Sequence, residues 1–348
     1  MTSVIVLVHD NVAVSAQCLT ALGDALRGRR AEVVCVDNAS TDDLEPLVRA
    51  AGALERFRFV RNEANLSFSV ANNRAVALAE GDRLLFLNND VALARSTFEA
   101  MHLALDAPGM AVVGARLLFP HPRCVQHAGM VAMLWGLASN YGVGASVDDR
   151  RFHGVRSRFA VTGAALMTTR VWFERLGGFD ETYHYGYEDV DLCLAARAAG
   201  GEVVCVGDGE STHHESLTLR AHRTPTALSH NYATYRRKWD AWLLPRERAA
   251  LDELCRDGVR RVAIFGHGEA GRALAGVLAS AGIETAAFVT TQSVAADAHA
   301  DGHPVLPISE APRLDIDRLV VGSQWYWQVE STLQALPLRR PPLFPEVG

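Results

Sequence analysis

The sequence has no run of about 18 consecutive apolar residues, the length a membrane-crossing helix requires, so no spanning helix is expected. It has no C-x-x-C pair. Cys18, Cys35, Cys124, Cys193, Cys205 and Cys255 are scattered, most of them in apolar runs. Buried, reduced thiols in a reducing compartment are the expectation. Met1 leads into an apolar strand without a basic stretch or a cleavage-site pattern, so no secretory signal is read there. A cytoplasmic location is expected, with docking at the inner face of the cell membrane left open. An excess of positive charge is also lacking: 34 Lys and Arg face 40 Asp and Glu, for a net charge of -6. That balance gives no support to a nucleic-acid surface, although net charge averages over any local basic patch, and no nucleic-acid partner is expected. There is no internal repeat and no low-complexity segment. What is present is 348 residues, 49% apolar and 21% charged, enough for two globular domains.

The first ninety residues alternate strand and helix patterns. Val4–Val8 is continuously apolar, as in a strand buried on both faces. Ala16–Leu26 reads as a helix, Glu32–Val36 as a strand, Phe57–Arg61 as a third strand, Asn72–Ala79 as a helix and Arg83–Leu87 as a fourth strand. Such alternation predicts a largely parallel α/β sheet. Ligands bind such sheets beyond the carboxyl ends of the strands. Two polar clusters sit at those ends, Asp37–Asp42 and Asn88–Asp90.

Asp90, flanked by Asn88 and Asn89, offers hard oxygen ligands of the kind Mg²⁺ and Mn²⁺ prefer. One carboxylate is too few alone, and a substrate diphosphate would complete the shell. The same residues suit a turn. Asp37 ends its strand where a base N–H or a ribose hydroxyl would be met, and it equally suits a turn or N-cap. Glu188, Asp189 and Asp191 crowd three carboxylates into four residues. Mutual repulsion raises carboxyl pKa values, as a general base near neutral pH requires. Acids at a helix N-terminus also answer the helix dipole. His213 and His214 follow the next strand, where a neutral imidazole completes an oxygen-rich metal site.

Seven segments taken together resemble a family 2 glycosyltransferase of the bacterial surface-polysaccharide, rhamnosyltransferase-like type. They are VIVLVHDN, EVVCVDNASTDD, VRNEANLSFSVANNRAVALAEGD, LLFLNNDV, VQHAGMV, VTGAALMTTRVWFERLGGFDETYHYGYEDVDLCLAARAAG and THHES, over roughly residues 2–240. The resemblance implies a GT-A fold and inverting transfer from a nucleoside diphosphate sugar such as a UDP- or dTDP-sugar. It implies that Asp37 contacts the base and that His9 and Asp10 lie against the nucleoside. Asn65, Asn72, Asn73 and Asn89 are implied beside the nucleotide. Asp90 matches the last residue of the D-x-D metal motif, Asp189 the catalytic base with Glu188 beside it, and His213, or else His214, the metal-binding His. Mg²⁺ or Mn²⁺ is the implied cofactor, and a glycan or lipid-linked molecule the implied acceptor. Gly177–Glu181 and Tyr183–Tyr187 would shape the acceptor side. Two departures stand out: Asn88 replaces the first Asp of D-x-D, and Ser67 fills the place of a usual glycine.

The domains expected are a GT-A domain over 1–225, a helical linker over 226–257 interrupted near Pro245, and a small Rossmann-like domain over 258–348 with a Pro-rich tail. In the last, Gly266, Gly268 and Gly271 form a G-x-G-x-x-G run between a strand and a helix, a candidate ligand loop. The following strand ends in Thr290-Thr291 without the acid that binds ribose, which argues against a nicotinamide cofactor. Trp325, Tyr326 and Trp327 line a pocket or interface, or simply pack. Tyr235–Trp239 reads either as a membrane or acceptor contact or as a solvated helix face. Assembly into a homo-oligomer is left open. Two rival functions remain: a non-catalytic nucleotide-sugar-binding protein, and an oxidoreductase acting through the C-terminal domain.

Overall fold

The apolar run at Val4–Val8 forms most of strand β1 (Thr2–Val8), which is buried along almost its whole length. A computed structural model describes residues 1–42, 44, 54–134, 137–184, 186–214, 225–323, 329–343 and 346–347. Trp325, Tyr326 and Trp327 lie outside the described residues. The chain divides into two compact units. One comprises Met1–Met130 and Ala145–Arg237, the other Val131–Gly144 and Lys238–Gly348.

In the first unit β1 leads through helix α1 (Val12–Leu26) to β2 (Ala31–Asp37) and then to β3 (Phe57–Arg61). Helix α2 (Phe68–Leu78) precedes β4 (Arg83–Asn88). The expected helix from Asn72 therefore starts a turn earlier, at the residue after Ser67. Ser67 is its N-cap, with Oγ accepting from the Val70 N–H at 3.3 Å. The serine thus satisfies a backbone donor that a glycine would leave to solvent. After β4 come β5 (Val91–Ala92), α3 (Arg95–Leu105), β6 (Met110–Ala115), β7 (Leu117–Phe119) and β8 (Cys124–His127). β9 (Met130–Met133) and β10 (Ala138–Asn140) come next in the chain and, Met130 apart, belong to the second unit; back in the first are β11 (Val155–Ser157), β12 (Ala165–Thr169), α4 (Arg170–Leu176), α5 (Glu188–Ala198), β13 (Glu202–Val206) and β14 (Thr212–His213).

The main sheet has the order β11-β13-β6-β12-β4-β1-β2-β3. It is parallel along β3-β2-β1-β4 and between β6 and β13, and antiparallel where β12 lies between β4 and β6. β1 has β2 on one side and β4 on the other, so the order of progression reverses there, the position where open α/β sheets bind ligands. Below it, Val4, Val6, Leu85, Leu87 and Met167 pack with Leu22 and Met101 in one apolar core. Phe86 of β4 meets Phe173 and Phe179 at centroid distances of 5.1 and 4.8 Å, and Phe68 meets Phe179 at 5.4 Å. These rings pin the Gly177–Glu181 loop to the sheet. A small second sheet, β5-β14-β7-β8, stands beside the end of β4.

Helix α6 (Pro225–Arg256) runs on through Pro245, where an interruption was expected. In the second unit, β15 (Arg261–Phe265), α7 (Glu269–Ser280), β16 (Glu284–Thr290), β17 (His299–Ala300), β18 (His303–Pro307) and β19 (Arg318–Val321) follow in turn. Strands β18-β16-β15-β19 are parallel neighbours, with β17 antiparallel at one edge. The glycine run sits between β15 and α7 as its pattern requires. Gly266 has φ 96°, and a Cβ on Gly271 would lie 2.0 Å from the Gly266 carbonyl oxygen. Backbone geometry accounts for Gly266 and Gly271, whereas a Cβ on Gly268 would meet nothing within 4 Å. Four of the cysteines are buried, Cys124 and Cys255 are partly so, and all six are free thiols.

Candidate active site at the strand ends

The register fixes the layout. Val8 pairs with Asp37 and Leu7 with Asn88. The polar residues after β2, β1 and β4 therefore lie side by side. With neighbouring strands about 4.8 Å apart, Asp37 and Asn88 are separated by roughly 10 Å across β1.

The β2 side is dominated by a residue the sequence reading took as part of a turn. Asn38 Nδ2 donates to Asn65 Oδ1 at 2.7 Å and to the Leu66 carbonyl at 2.8 Å. Its Oδ1 accepts from Asn62 Nδ2 at 2.9 Å and from the Leu66 N–H at 3.1 Å. All four of its hydrogen-bonding positions are filled. His9 Nδ1 sits 3.0 Å from the Asn38 carbonyl oxygen and His9 Nε2 3.2 Å from Asn65 Nδ2. These partners assign the proton to Nδ1 and make Nε2 the acceptor. Asn38 thus holds His9 and Asn65 in one network.

Asp37 is fully buried. Its Oδ1 accepts from the Ser40 N–H at 2.9 Å, and its Oδ2 lies 3.1 Å from Arg61 Nη1. The turn role and the strand-end location therefore coincide, with Arg61 as a half-exposed cationic partner. Asp10 accepts from the Thr41 N–H at 2.7 Å, which holds its carboxyl below the usual range. Asp10, Asn11 and Ala39 all have positive φ, of 51°, 56° and 60°. Such backbone is uncommon outside glycine and clusters at functional sites.

At the end of β4, Asn89 Nδ2 donates to Ser15 Oγ at 2.8 Å and so faces α1. Asp90 faces the other way. The antiparallel pair β5–β14 sets His213 opposite Val91, and the His214 N–H donates to the Asp90 carbonyl at 3.0 Å. The His213 Nε2 consequently lies 3.1 Å from Asp90 Oδ1, with both side chains largely buried. His214 is exposed. Among the described residues no group of three or more His, Cys, Asp or Glu side chains converges as a metal site. Asp90 and His213 form a two-group set, one hard oxygen and one imidazole nitrogen. Such a set fits a divalent cation that takes its remaining ligands from substrate phosphates and water.

The acidic cluster joins this edge through the turn before β12. The Asn88 N–H donates to the Ala164 carbonyl at 2.9 Å, and the Gly163 N–H donates to Asp189 Oδ2 at 2.8 Å. Asp189 Oδ1 accepts from the Val190 N–H at 2.8 Å. Both carboxylate oxygens are thus oriented by backbone. Burial raises the Asp189 pKa, and the N–H groups of Gly163 and Val190 oppose the rise. Burial and then the charge of Asp189 push the Glu188 carboxyl up to about 8. Tyr187, which precedes the pair, has φ 75° and stacks on the buried Tyr235 with centroids 4.9 Å apart. Tyr235 therefore belongs to the interior and not to a membrane-facing stripe. Asp191 accepts from Tyr183 Oη at 3.3 Å, a buried structural contact.

Asn72 and Asn73 lie on α2. Asn72 is buried and donates to the Phe68 carbonyl of its own helix at 2.9 Å. Asn73 donates to the Phe179 carbonyl and to Glu181 Oε1, both at 2.9 Å, and accepts from the Phe179 N–H at 3.0 Å. It clamps the Gly177–Glu181 loop.

The raised Glu188 pKa carries a sign. A carboxyl whose folded pKa lies above its unfolded value of about 4.5 loses stability for the fold as pH rises from about 4.5 to about 8. Glu188→Gln removes that loss. In denaturant titrations the variant should gain progressively on the wild type as pH rises across this window. A difference that stays flat between pH 5 and pH 8 would overturn the assignment.

Residues 3–122 match the profile described as Glycosyl transferase family 2. The O-antigen biosynthesis protein RfbC of Myxococcus xanthus is 36% identical over 189 residues, covering 52% of this chain and 14% of that protein. An N-acetylglucosaminyl-diphospho-decaprenol L-rhamnosyltransferase of Mycobacterium tuberculosis is 28% identical over 237 residues, covering 60% of this chain and 74% of that protein. The chain spans 14% of the myxobacterial protein and 26% of another curated relative. Among solved structures, GalNAc-T7 with UDP, GalNAc and Mn²⁺ superposes with a TM-score of 0.56 at 15% identity, over 82% of this chain and 55% of that one, a likeness of fold. Sequence profile and sheet order agree: residues 3–122 belong to a family 2 glycosyltransferase domain, and the fold is that of the GT-A glycosyltransferases.

Proposed function

We propose that the chain transfers a sugar from a nucleoside diphosphate sugar to a hydroxyl of a glycan or lipid-linked acceptor, in the synthesis of a surface polysaccharide. The catalytic domain of this reading is residues 1–225. One observation supports it above the others. The Asn88–Ala164 and Gly163–Asp189 hydrogen bonds tie the Asp90–His213 pair and the Glu188–Asp189 pair to the same short turn. A donor diphosphate held at the first pair thereby sits next to a carboxylate able to take a proton.

Each residue then has a task. Asp37, Arg61, His9 and Asn65 line the nucleoside end, with His9 and Asn65 positioned by Asn38. Asp90 and His213 would hold Mg²⁺ or Mn²⁺, which would supply charge neutralisation for the departing diphosphate. Asp189 accepts the proton of the acceptor hydroxyl as its oxygen bonds to the anomeric carbon and the bond to the diphosphate breaks. Attack opposite the leaving group inverts the configuration. The uncharged form of Glu188 limits repulsion around Asp189.

Thermal shift with UDP, dTDP and GDP, each with and without Mn²⁺, tests the reading. Stabilisation by at least one diphosphate, larger with Mn²⁺, is expected. At 100 times the dissociation constant it amounts to about 2.7 kcal/mol. Binding indifferent to metal, with no turnover of any donor, would support a non-catalytic binding protein instead. Stabilisation by NAD alone would move the activity to the second unit.

A further inference from the structure

Gln126 occupies an irregular point of the small sheet. Regular antiparallel pairing from Leu117↔His127 would set Leu118 opposite Gln126. Leu118 pairs instead with Val125, and the register shifts between Leu117 and Leu118. Gln126 is therefore the extra residue of a β-bulge. Bulges re-aim a side chain, and they recur beside active sites. Here the buried amide reaches past β7 to β14. Its Oε1 accepts from His213 Nδ1 at 2.8 Å, and its Nε2 donates to the His213 carbonyl at 3.3 Å. The same amide grips the ring and the backbone of one histidine.

An amide oxygen on Nδ1 demands a proton there. Neutral imidazole carries only one N–H, so the lone pair falls on Nε2, the nitrogen 3.1 Å from Asp90 Oδ1. Two electron-rich atoms then converge, an arrangement that a divalent cation satisfies. Without Gln126 the competing tautomer would place the proton on Nε2 and bond it to Asp90, closing the site.

We propose that Gln126 is a positioning residue for metal binding, fixing His213 in the Nδ1–H tautomer with the Nε2 lone pair directed to the cation. This rests on the metal reading of Asp90 and His213. Outer partners of this kind alter metal affinity by roughly 10- to 100-fold. Two variants separate the role from folding. Gln126→Leu removes both hydrogen bonds at similar volume. Gln126→Glu keeps an acceptor for Nδ1 and loses only the donor to the carbonyl.

Mn²⁺ affinity, read by electron paramagnetic resonance with UDP present, should fall by roughly 10- to 100-fold in Gln126→Leu and by less than about 3-fold in Gln126→Glu. Nitrogen-15 shifts of the His213 ring in metal-free protein should report the Nδ1–H tautomer in the wild type and in Gln126→Glu, and an Nε2–H or mixed state in Gln126→Leu. Wild-type affinity in Gln126→Leu overturns the proposal and leaves the metal site standing. An Nε2–H tautomer in the wild type also overturns it. If wild-type protein binds no Mn²⁺ with UDP, the metal reading fails and this role falls with it.

Discussion

Asp189→Asn should lower the transfer rate by about 10²- to 10⁴-fold, the range of a lost general base, while nucleoside diphosphate affinity stays within a few-fold of wild type. The split follows from geometry. Asp189 lies across the β12 turn from Asn88 and belongs to α5, while the residues assigned to the diphosphate are Asp90, in the turn between β4 and β5, and His213 of β14. An amide in its place is nearly isosteric but has one acceptor where the carboxylate has two. Both carboxylate oxygens accept backbone N–H groups, from Gly163 and Val190. One of these donors would be left facing an NH₂ group, at a cost of about 1–3 kcal/mol. A lowered melting temperature should therefore accompany the loss of activity. UDP calorimetry beside single-turnover transfer separates the two effects. Transfer within tenfold of wild type in folded Asp189→Asn would remove Asp189 as the base, and Glu188 would be the next carboxylate to test.

Much of this arrangement is legible in the chain because parallel strands leave a plain signature. Buried β1, β2 and β4 read as apolar runs, and each stops where polar residues begin. The location of Asp37 and Asp90 at one edge of the sheet follows from that pattern and from α/β topology. The raised Glu188 pKa is foreshadowed by its two neighbouring acids, although burial is its larger cause.

What is not legible depends on partners far away in sequence. Asn73 looks like its neighbour Asn72. Only the folded chain brings Phe179 and Glu181 to it and makes it a loop clamp. Asn38 sits in a run of turn formers, and the three residues that fill its four side-chain hydrogen bonds, Asn62, Asn65 and Leu66, arrive from beyond β3. Gln126 carries no local period at all, since its direction is set by a register shift. Helix α2 begins before its apolar spacing becomes evident, because the Ser67 cap and not the pattern sets the boundary. Pro245 misleads in the opposite sense: a residue that ordinarily breaks a helix lies inside one of 32 residues.

Asn88 in place of an aspartate makes the last expectation sharp. With Asp90 as the carboxylate of the pair and His213 neutral, the protein contributes a single negative charge to a divalent cation. Most of the remaining ligation must come from the donor diphosphate. Mn²⁺ alone should therefore bind weakly, and UDP should tighten it strongly. By linkage Mn²⁺ should tighten UDP by the same factor. Asp90→Asn keeps the shape of the strand end and the backbone bond from His214, which uses the Asp90 carbonyl. It removes the charge. The mutual enhancement of Mn²⁺ and UDP should collapse, and kcat/KM should fall by roughly 10³-fold, about 4 kcal/mol of transition-state stabilisation. The metal-independent part of UDP binding, carried by the β2 side through Asp37, Arg61 and the Asn38 network, should survive. Calorimetric titration of UDP into wild type and Asp90→Asn, each with Mn²⁺ and with a chelator, resolves these parts. Equal Mn²⁺ enhancement in the two proteins would place the cation elsewhere, and tight Mn²⁺ binding without nucleotide would mean that ligands beyond Asp90 and His213 hold it.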